Sequence, residues 1–379
     1  MKVVVAIDSF KGSLSSLQAG NAVKNGILKV YNDANVLVLP IADGGEGTVD
    51  ALVKGLNGTL KSVSVLNPLG ETITASYGLV KNNTAVIEMS AAAGITLIPK
   101  TKLNPMKTTT YGVGEIIKDA INNGSTNFII GIGGSATNDG GVGMLQALGY
   151  KFLDKDNNPI PFGAEGLSKL CKIDDSEVLP ELKNCTFNIA CDVKNPLCGE
   201  YGCSKIFSPQ KGAKVEDIPI MDGYLLNYAN LTKTLYPNSD KDLEGAGAAG
   251  GLGFALASYL NAKLTSGINL ILDTIEFEKI IADADVVVTG EGKMDKQSAM
   301  GKTPFGIASR AKKYNIPVIA FVGAASYDSS YLNEVGIDGI FPILRGVSTL
   351  DDAMNIENAT KNAEATSEQV FNLYKTIKG

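Results

Sequence analysis

The chain has 379 residues, 44% of them hydrophobic, and a formal net charge of −6, which is ample for a sizeable core and more typical of two domains than one. It contains no histidine, which excludes Ser-His-Asp and Cys-His catalysis and histidine-ligated zinc, and no basic block, which argues against a nucleic-acid partner. Proton transfer near neutral pH must therefore fall to a carboxylate, lysine, tyrosine or cysteine.

Short β-branched runs alternate with helical patterns along the chain, the signature of parallel α/β units. In order, the patterns predict a strand over 3–7, a helix over 19–30, a strand over 36–41 and a helix over 48–56. Three antiparallel strands follow at 61–65, 73–80 and 85–89, with a turn at Lys81-Asn82-Asn83. A helix over 110–121 leads into a buried strand at 127–131, then a glycine-rich turn and a helix over 142–148; a further buried strand covers 187–191. Near the other end come a strand at 286–289, a helix over 303–314, strands at 317–322 and 339–344, and a long helix over 358–377. The expected architecture is α/β: a Rossmann-like parallel-sheet domain built from both chain ends, residues 1–66 and 280–379, with a mixed α/β domain, residues 67–279, inserted between them. The apolar run after Met1 is too short for a signal peptide and meets Asp8, and no stretch approaches the ~20 apolar residues of a membrane span. A cytoplasmic protein with no membrane partner is expected. Five cysteines without C-x-x-C spacing read as free thiols of a reducing compartment.

Five polar clusters fall at the ends of predicted strands, where ligands bind in open α/β sheets. They are Asp8-Ser-Phe-Lys-Gly-Ser13, Ala42-Asp-Gly-Gly-Glu-Gly47, Gly131-Ile-Gly-Gly-Ser-Ala-Thr-Asn-Asp-Gly-Gly141, Ala190-Cys-Asp-Val-Lys-Asn-Pro196 and Thr289-Gly-Glu-Gly-Lys-Met-Asp-Lys-Gln-Ser298. In the third, a strand–glycine–helix turn lets backbone N–H groups converge on an anion. A carboxylate there, Asp139, is costly beside phosphate unless a cation such as Mg²⁺ lies between them. Lys11 opens a helix and suits a phosphate as a point charge. Asp43 and Glu46 flank two glycines at a helix start, where they cap the helix, hold Mg²⁺ or contact substrate hydroxyls. Asp192 follows a buried strand and could take a proton from an alcohol if burial raises its pKa. Glu291 and Asp295 bracket Lys293, which suits a metal–phosphate site.

Three motif matches are weaker. Gly245-Ala-Gly-Ala-Ala-Gly250 fits G-x-G-x-x-G, but no strand precedes it, so close backbone packing competes with anion binding. Gly131-Ile-Gly-Gly-Ser-Ala136 follows a strand, yet the lengthened turn with Asp139 does not suit a dinucleotide. Gly301-Lys-Thr303 resembles the end of a P-loop, but Lys296 holds the required glycine position.

Taken in order, the clusters resemble the bacterial type-1 glycerate kinases (glycerate 2-kinases), and the resemblance spans nearly the whole chain. It also rests on Pro40-Ile-Ala-Asp-Gly-Gly-Glu-Gly47, Cys191-Asp-Val-Lys-Asn-Pro-Leu197 and Gly245-Ala-Gly-Ala-Ala-Gly-Gly-Leu-Gly253. It implies ATP- and Mg²⁺-dependent phosphorylation of D-glycerate, usually to 2-phosphoglycerate, in a cleft between two α/β domains. Roles are assigned from chemistry. Asp192 is the first choice of base and Asp295 the second, with Lys11 and Lys293 neutralising phosphate charge. Asp43, Glu46, Asp139 and Glu291 are the metal candidates. Ser9, Gly133, Gly134, Ser135, Thr137, Asn138, Gly290 and Gly292 are the nucleotide- or substrate-binding candidates. The substrate carboxylate is expected on Arg345, on a lysine, or on backbone N–H groups with Ser135 and Thr137, because Arg310 and Arg345 are the only arginines. The competing readings are a kinase of a related small hydroxy acid, a NAD-dependent hydroxyacid oxidoreductase and a two-lobed solute receptor.

Overall fold

Aliphatic and β-branched runs form the strands, which in chain order are β1 (Lys2–Ile7), β2 (Asn35–Val38), β3 (Thr59–Leu66), β4 (Thr72–Val80), β5 (Thr84–Glu88), β6 (Asn127–Gly131), β7 (Lys151–Leu153), β8 (Lys172–Asp174), β9 (Thr186–Ala190), β10 (Lys263–Thr265), β11 (Val286–Met294), β12 (Val318–Ala325) and β13 (Gly339–Pro342). The structure, a computed structural model, describes residues 1–294, 302–326 and 330–378. The chain divides into two units, one of residues 1–43, 50–56 and 268–379, the other of residues 44–49 and 57–267.

The first unit carries a five-stranded sheet in the order β13-β12-β11-β1-β2, parallel throughout. Val3, Val4 and Val5 of β1 and Val286, Val287 and Val288 of β11 are fully buried, as strands covered by helices on both faces require. From β1 the chain runs outward to β2 on one side, and from β11 to β12 and β13 on the other. The direction of winding therefore reverses between β1 and β11, the position where open α/β sheets bind ligands. Helix Ser16–Val30 begins with a capping box, Ser15 accepting from Gln18 N while the Gln18 side chain accepts from Ser15 N. It packs on the C-terminal helix Ile356–Lys378, where Ser367 Oγ donates to the Val23 carbonyl at 3.2 Å.

One expected boundary is wrong. The strand expected to end at Thr289 continues to Met294 and stays paired with β12, Glu291 opposite Val322 and Lys293 opposite Ala324. The glycines read as turn residues serve the ladder instead: a Cβ on Gly290 would stand 1.8 Å from the Phe321 carbonyl oxygen of the neighbouring strand.

The second unit carries a six-stranded mixed sheet in the order β10-β9-β6-β5-β4-β3. β3, β4 and β5 pair antiparallel, and β5, β6, β9 and β10 pair parallel. β3 belongs to this sheet, although a boundary near residue 66 assigns it to the other domain. The turn between β4 and β5 uses Asn82 and Asn83 in left-handed conformations, which asparagine tolerates. Phe128 of β6 stacks on Phe187 of β9 with ring centroids 4.7 Å apart in a core that also buries Tyr77.

The G-x-G-x-x-G match resolves as close packing rather than a dinucleotide turn. It enters helix Ala248–Leu260, whose backbone leaves helical geometry at Ala249, Gly250 and Gly251. Gly250 has φ +69°, its carbonyl accepts from Gly140 N at 2.9 Å, and a Cβ there would lie 2.0 Å from the Thr137 carbonyl oxygen. Gly250→Ala adds both backbone strain and a clash and is expected to destabilise the protein by about 3 kcal/mol. Chemical denaturation of the two proteins measures this, and a loss under about 1 kcal/mol would show that the contact relaxes freely.

Candidate active site

In the first unit the carboxyl ends of β1, β11, β12 and β13 surround a cavity of about 420 Å³. Its polar lining comes from the segment after β1 (Asp8, Ser9, Lys11, Ser13), from Asp43, and from Glu291, Gly292 and Lys293 on β11. Two residues apart on one strand, Glu291 and Lys293 share a face. Its apolar lining comes from Phe10, Ile343, Leu344, Leu350, Met354 and nearby alanines. Asp8 is the focal point. It is buried, Oδ1 accepts from Ser9 N at 2.6 Å and Oδ2 from Thr303 Oγ1 at 2.9 Å. Burial, and then the neighbouring Asp43 carboxylate, push its pKa from 3.8 up to about 6. Two carboxylates facing each other at the rim of a pocket are an unfavourable arrangement that a bound cation would relieve.

The sequence reading singled out Ser9, Lys11, Asp43, Glu291, Gly292 and Lys293, and the fold gathers them here with Asp8, which it had left without a role. The signal was present: Asp8 is the first residue past the apolar run Val3–Ile7. Gly290 belongs to the ladder, and Asp295 lies outside the described residues. Arg345 lines a separate cavity of about 260 Å³ with Ser348, Asn358 and Lys361.

In the second unit, segments at the carboxyl ends of β5, β6 and β9 converge. Met89 N donates to the Gly131 carbonyl, Cys191 N to Thr265, and Val49 N to the Glu88 carboxylate. Asp192 accepts from Gly267 N at 3.0 Å. Asp192 is exposed, not buried as the sequence pattern suggested. Glu46 is exposed as well.

The loop from Gly131 to Gly141 departs most from expectation. Gly133 and Gly134 are exposed and Ser135 is 8% exposed, but Thr137, Asn138 and Asp139 are buried. Asp139 does not suit the metal role: Oδ2 accepts from Thr110 N and Oγ1 at 2.8 Å and from Gly143 N, and Oδ1 accepts from Gly141 N. Its carboxylate is committed to shaping the loop and the start of helix Val142–Ala147. The Asn138 amide donates to Ser204 Oγ, another internal bond. The sequence reading missed Lys211, which is 2% exposed and donates to Ser135 Oγ at 2.7 Å and to the Thr137 carbonyl at 2.6 Å. Nothing in its local sequence, Ser208-Pro-Gln-Lys-Gly212, marks it as buried. Among the described residues no three Cys, Asp or Glu side chains form a metal cage.

The raised pKa of Asp8 makes a stability statement. A carboxyl whose folded value lies above its unfolded value stabilises fully below about pH 4, and that contribution is lost as pH rises through about 6. The displacement corresponds to about 3 kcal/mol against the fold at neutral pH. Asp8→Asn is expected to raise stability at pH 7 by about 2 kcal/mol and to flatten the profile between pH 4 and pH 6, measured by urea denaturation. An unchanged profile would show that Asp8 carries no such cost.

The sequence matches the Glycerate kinase family over residues 3–375. It is 45% identical to the glycerate kinase of Bacillus subtilis (strain 168) over 379 residues, which covers 100% of this chain and 99% of that protein. It is 46% identical to the glycerate 2-kinase of Escherichia coli (strain K12) over 372 residues, 97% of this chain and 98% of that protein. The fold is similar to the crystal structure of "putative glycerate kinase 2" from Salmonella typhimurium LT2, with a TM-score of 0.92, 43% identity, and coverage of 100% of this chain and 99% of that one. An α/β chain with these glycine- and carboxylate-rich strand ends, matched along its whole length, belongs to the glycerate kinase family.

Proposed function

We propose that this protein is an ATP- and Mg²⁺-dependent kinase that phosphorylates D-glycerate, giving 2-phosphoglycerate and ADP. The observation that carries the nucleotide assignment is the cavity at the switch point of the parallel sheet. It joins an apolar wall fit for a base to two lysines and three carboxylates fit for a metal-bound polyphosphate. Its volume falls in the range of small-molecule sites.

In this reading Lys11 and Lys293 meet the phosphates as point charges. Asp8 and Asp43 would hold Mg²⁺, which takes one or two carboxylates and leaves its other positions to phosphate and water, and Glu291 lines the same cavity. The metal supplies neutralisation of phosphate charge. D-Glycerate is assigned to the second unit, with its carboxylate on the exposed N–H groups of Gly133 and Gly134 and on Ser135. Asp192, at the end of the neighbouring strand β9, orients the attacking hydroxyl. An ordinary carboxylate suffices for this, because phosphoryl transfer depends on positioning and charge neutralisation more than on a strong base. The reading needs no nucleic-acid or membrane partner, and among the described residues no helix is long and apolar enough to cross a membrane. A cytoplasmic location accords with the metabolic reaction proposed.

The decisive experiment incubates the protein with D-glycerate, ATP and Mg²⁺ and follows the product by phosphorus NMR. A 2-phosphoglycerate resonance is expected; a 3-phosphoglycerate resonance would retain the kinase and overturn the regiochemistry, and no turnover would remove the assignment. Lys293→Met is expected to raise the KM for ATP about tenfold, the worth of one charge-assisted contact. Asp192→Asn is expected to lower kcat at least about 100-fold while nucleotide affinity stays unchanged. Near-normal kcat in that variant would eliminate Asp192 as the orienting group.

A further inference from the structure

Lys211 is a buried ammonium with no ion-pair partner among the described residues. It ends a short turn, Pro209–Lys211, after helix Cys203–Phe207. The ionisable groups that bear on it are Cys203 and Asp139. Burial holds the Cys203 thiol up at about 12 and therefore neutral, and the Asp139 carboxylate is already shared among four donors. Burial accordingly pulls Lys211 down to about 8. An isolated buried charge is costly, so a site that retains one invites an explanation beyond loop packing.

The loop supplies it. Lys211 donates to Ser135 Oγ, so the Ser135 hydroxyl hydrogen must point elsewhere, and no protein acceptor takes it among the described residues. Nor, among the described residues, does any protein acceptor take the N–H groups of Gly133, Gly134 and Ser135. Two amide donors on the exposed Gly133 and Gly134, the amide and hydroxyl of the buried Ser135 next to them, and an ammonium behind them together suit an anion. Coulomb attraction through a dry interior is felt more strongly than through water.

We propose that Lys211 is a positioning residue for the organic-acid substrate. It fixes Ser135 with its hydroxyl hydrogen turned to the substrate carboxylate and sets a positive charge behind the Gly133–Ser135 amides. The inference rests on the assignment of D-glycerate to this loop and goes beyond it by naming the group that gives the loop its charge. It also explains how a chain with two arginines recognises a carboxylate without using either.

The test is the split between the two substrates. In Lys211→Met the KM for D-glycerate is expected to rise about tenfold or more while the KM for ATP moves less than about twofold. Ser135→Ala is expected to raise the glycerate KM in the same direction. The double variant is expected to be little worse than Lys211→Met alone, because the two groups act as one unit. An unchanged glycerate KM in Lys211→Met overturns the proposal, as do parallel losses in both KM values and kcat or strictly additive effects in the double variant. If Lys211→Met does not fold, Ser135→Ala alone decides: a glycerate KM within about twofold of wild type overturns the proposal. Wild-type protein that turns over no D-glycerate would refute the function itself, whereas normal wild-type turnover with unaffected variants refutes this inference alone.

Discussion

The arrangement of the second unit depends on one carboxylate. Asp139 gathers the N–H and hydroxyl of Thr110 and the N–H groups of Gly141 and Gly143, the donors that a chain leaving a strand and entering a helix would otherwise bury unsatisfied. Hydrogen bonds to a charged acceptor are the strong ones, and removing that acceptor would leave four donors without partners in a dry interior. The loop is held from within, while Gly133 and Gly134 stay exposed. The same loop receives the unusual helix start at Gly250 and Gly251, whose packing needs backbone on both sides of the contact.

Asp8 and Asp139 form an instructive contrast. Both are buried carboxylates in segments that follow a strand, and burial raises the pKa of both. Asp139 is compensated by its donors and reads as architecture. Asp8 has fewer donors and a second carboxylate, Asp43, beside it, so it stands out as a strained group at the rim of a cavity. Stability conceded at a pocket and recovered elsewhere is a general mark of functional sites.

Much of this was legible in the sequence. Short apolar runs such as Val3–Ile7 and Phe128–Ile130, rich in β-branched residues, read as buried strands, and the clusters that follow them fall where parallel sheets bind ligands. What escaped was decided by contacts distant in sequence. Gly290 and Gly292 resemble a turn until β12 is set beside them. Asp139 resembles a metal ligand until Thr110, 29 residues earlier, folds onto it. Lys211 resembles a solvated lysine until it meets Ser135, 76 residues earlier in the chain. Local propensity carries no information on such pairings, and a polar residue type alone does not say whether its partner will be a ligand or the protein.

The continuation of β11 to Met294 has a consequence for how this cluster can vary. Glu291 and Lys293 reach the cavity from one face of a hydrogen-bonded strand, two residues apart. A loop absorbs an added or lost residue by bulging. A paired strand instead shifts register, and one residue's shift turns every side chain beyond it to the opposite face. Among related chains this segment should therefore keep its length, so that its acid and lysine hold their two-residue spacing.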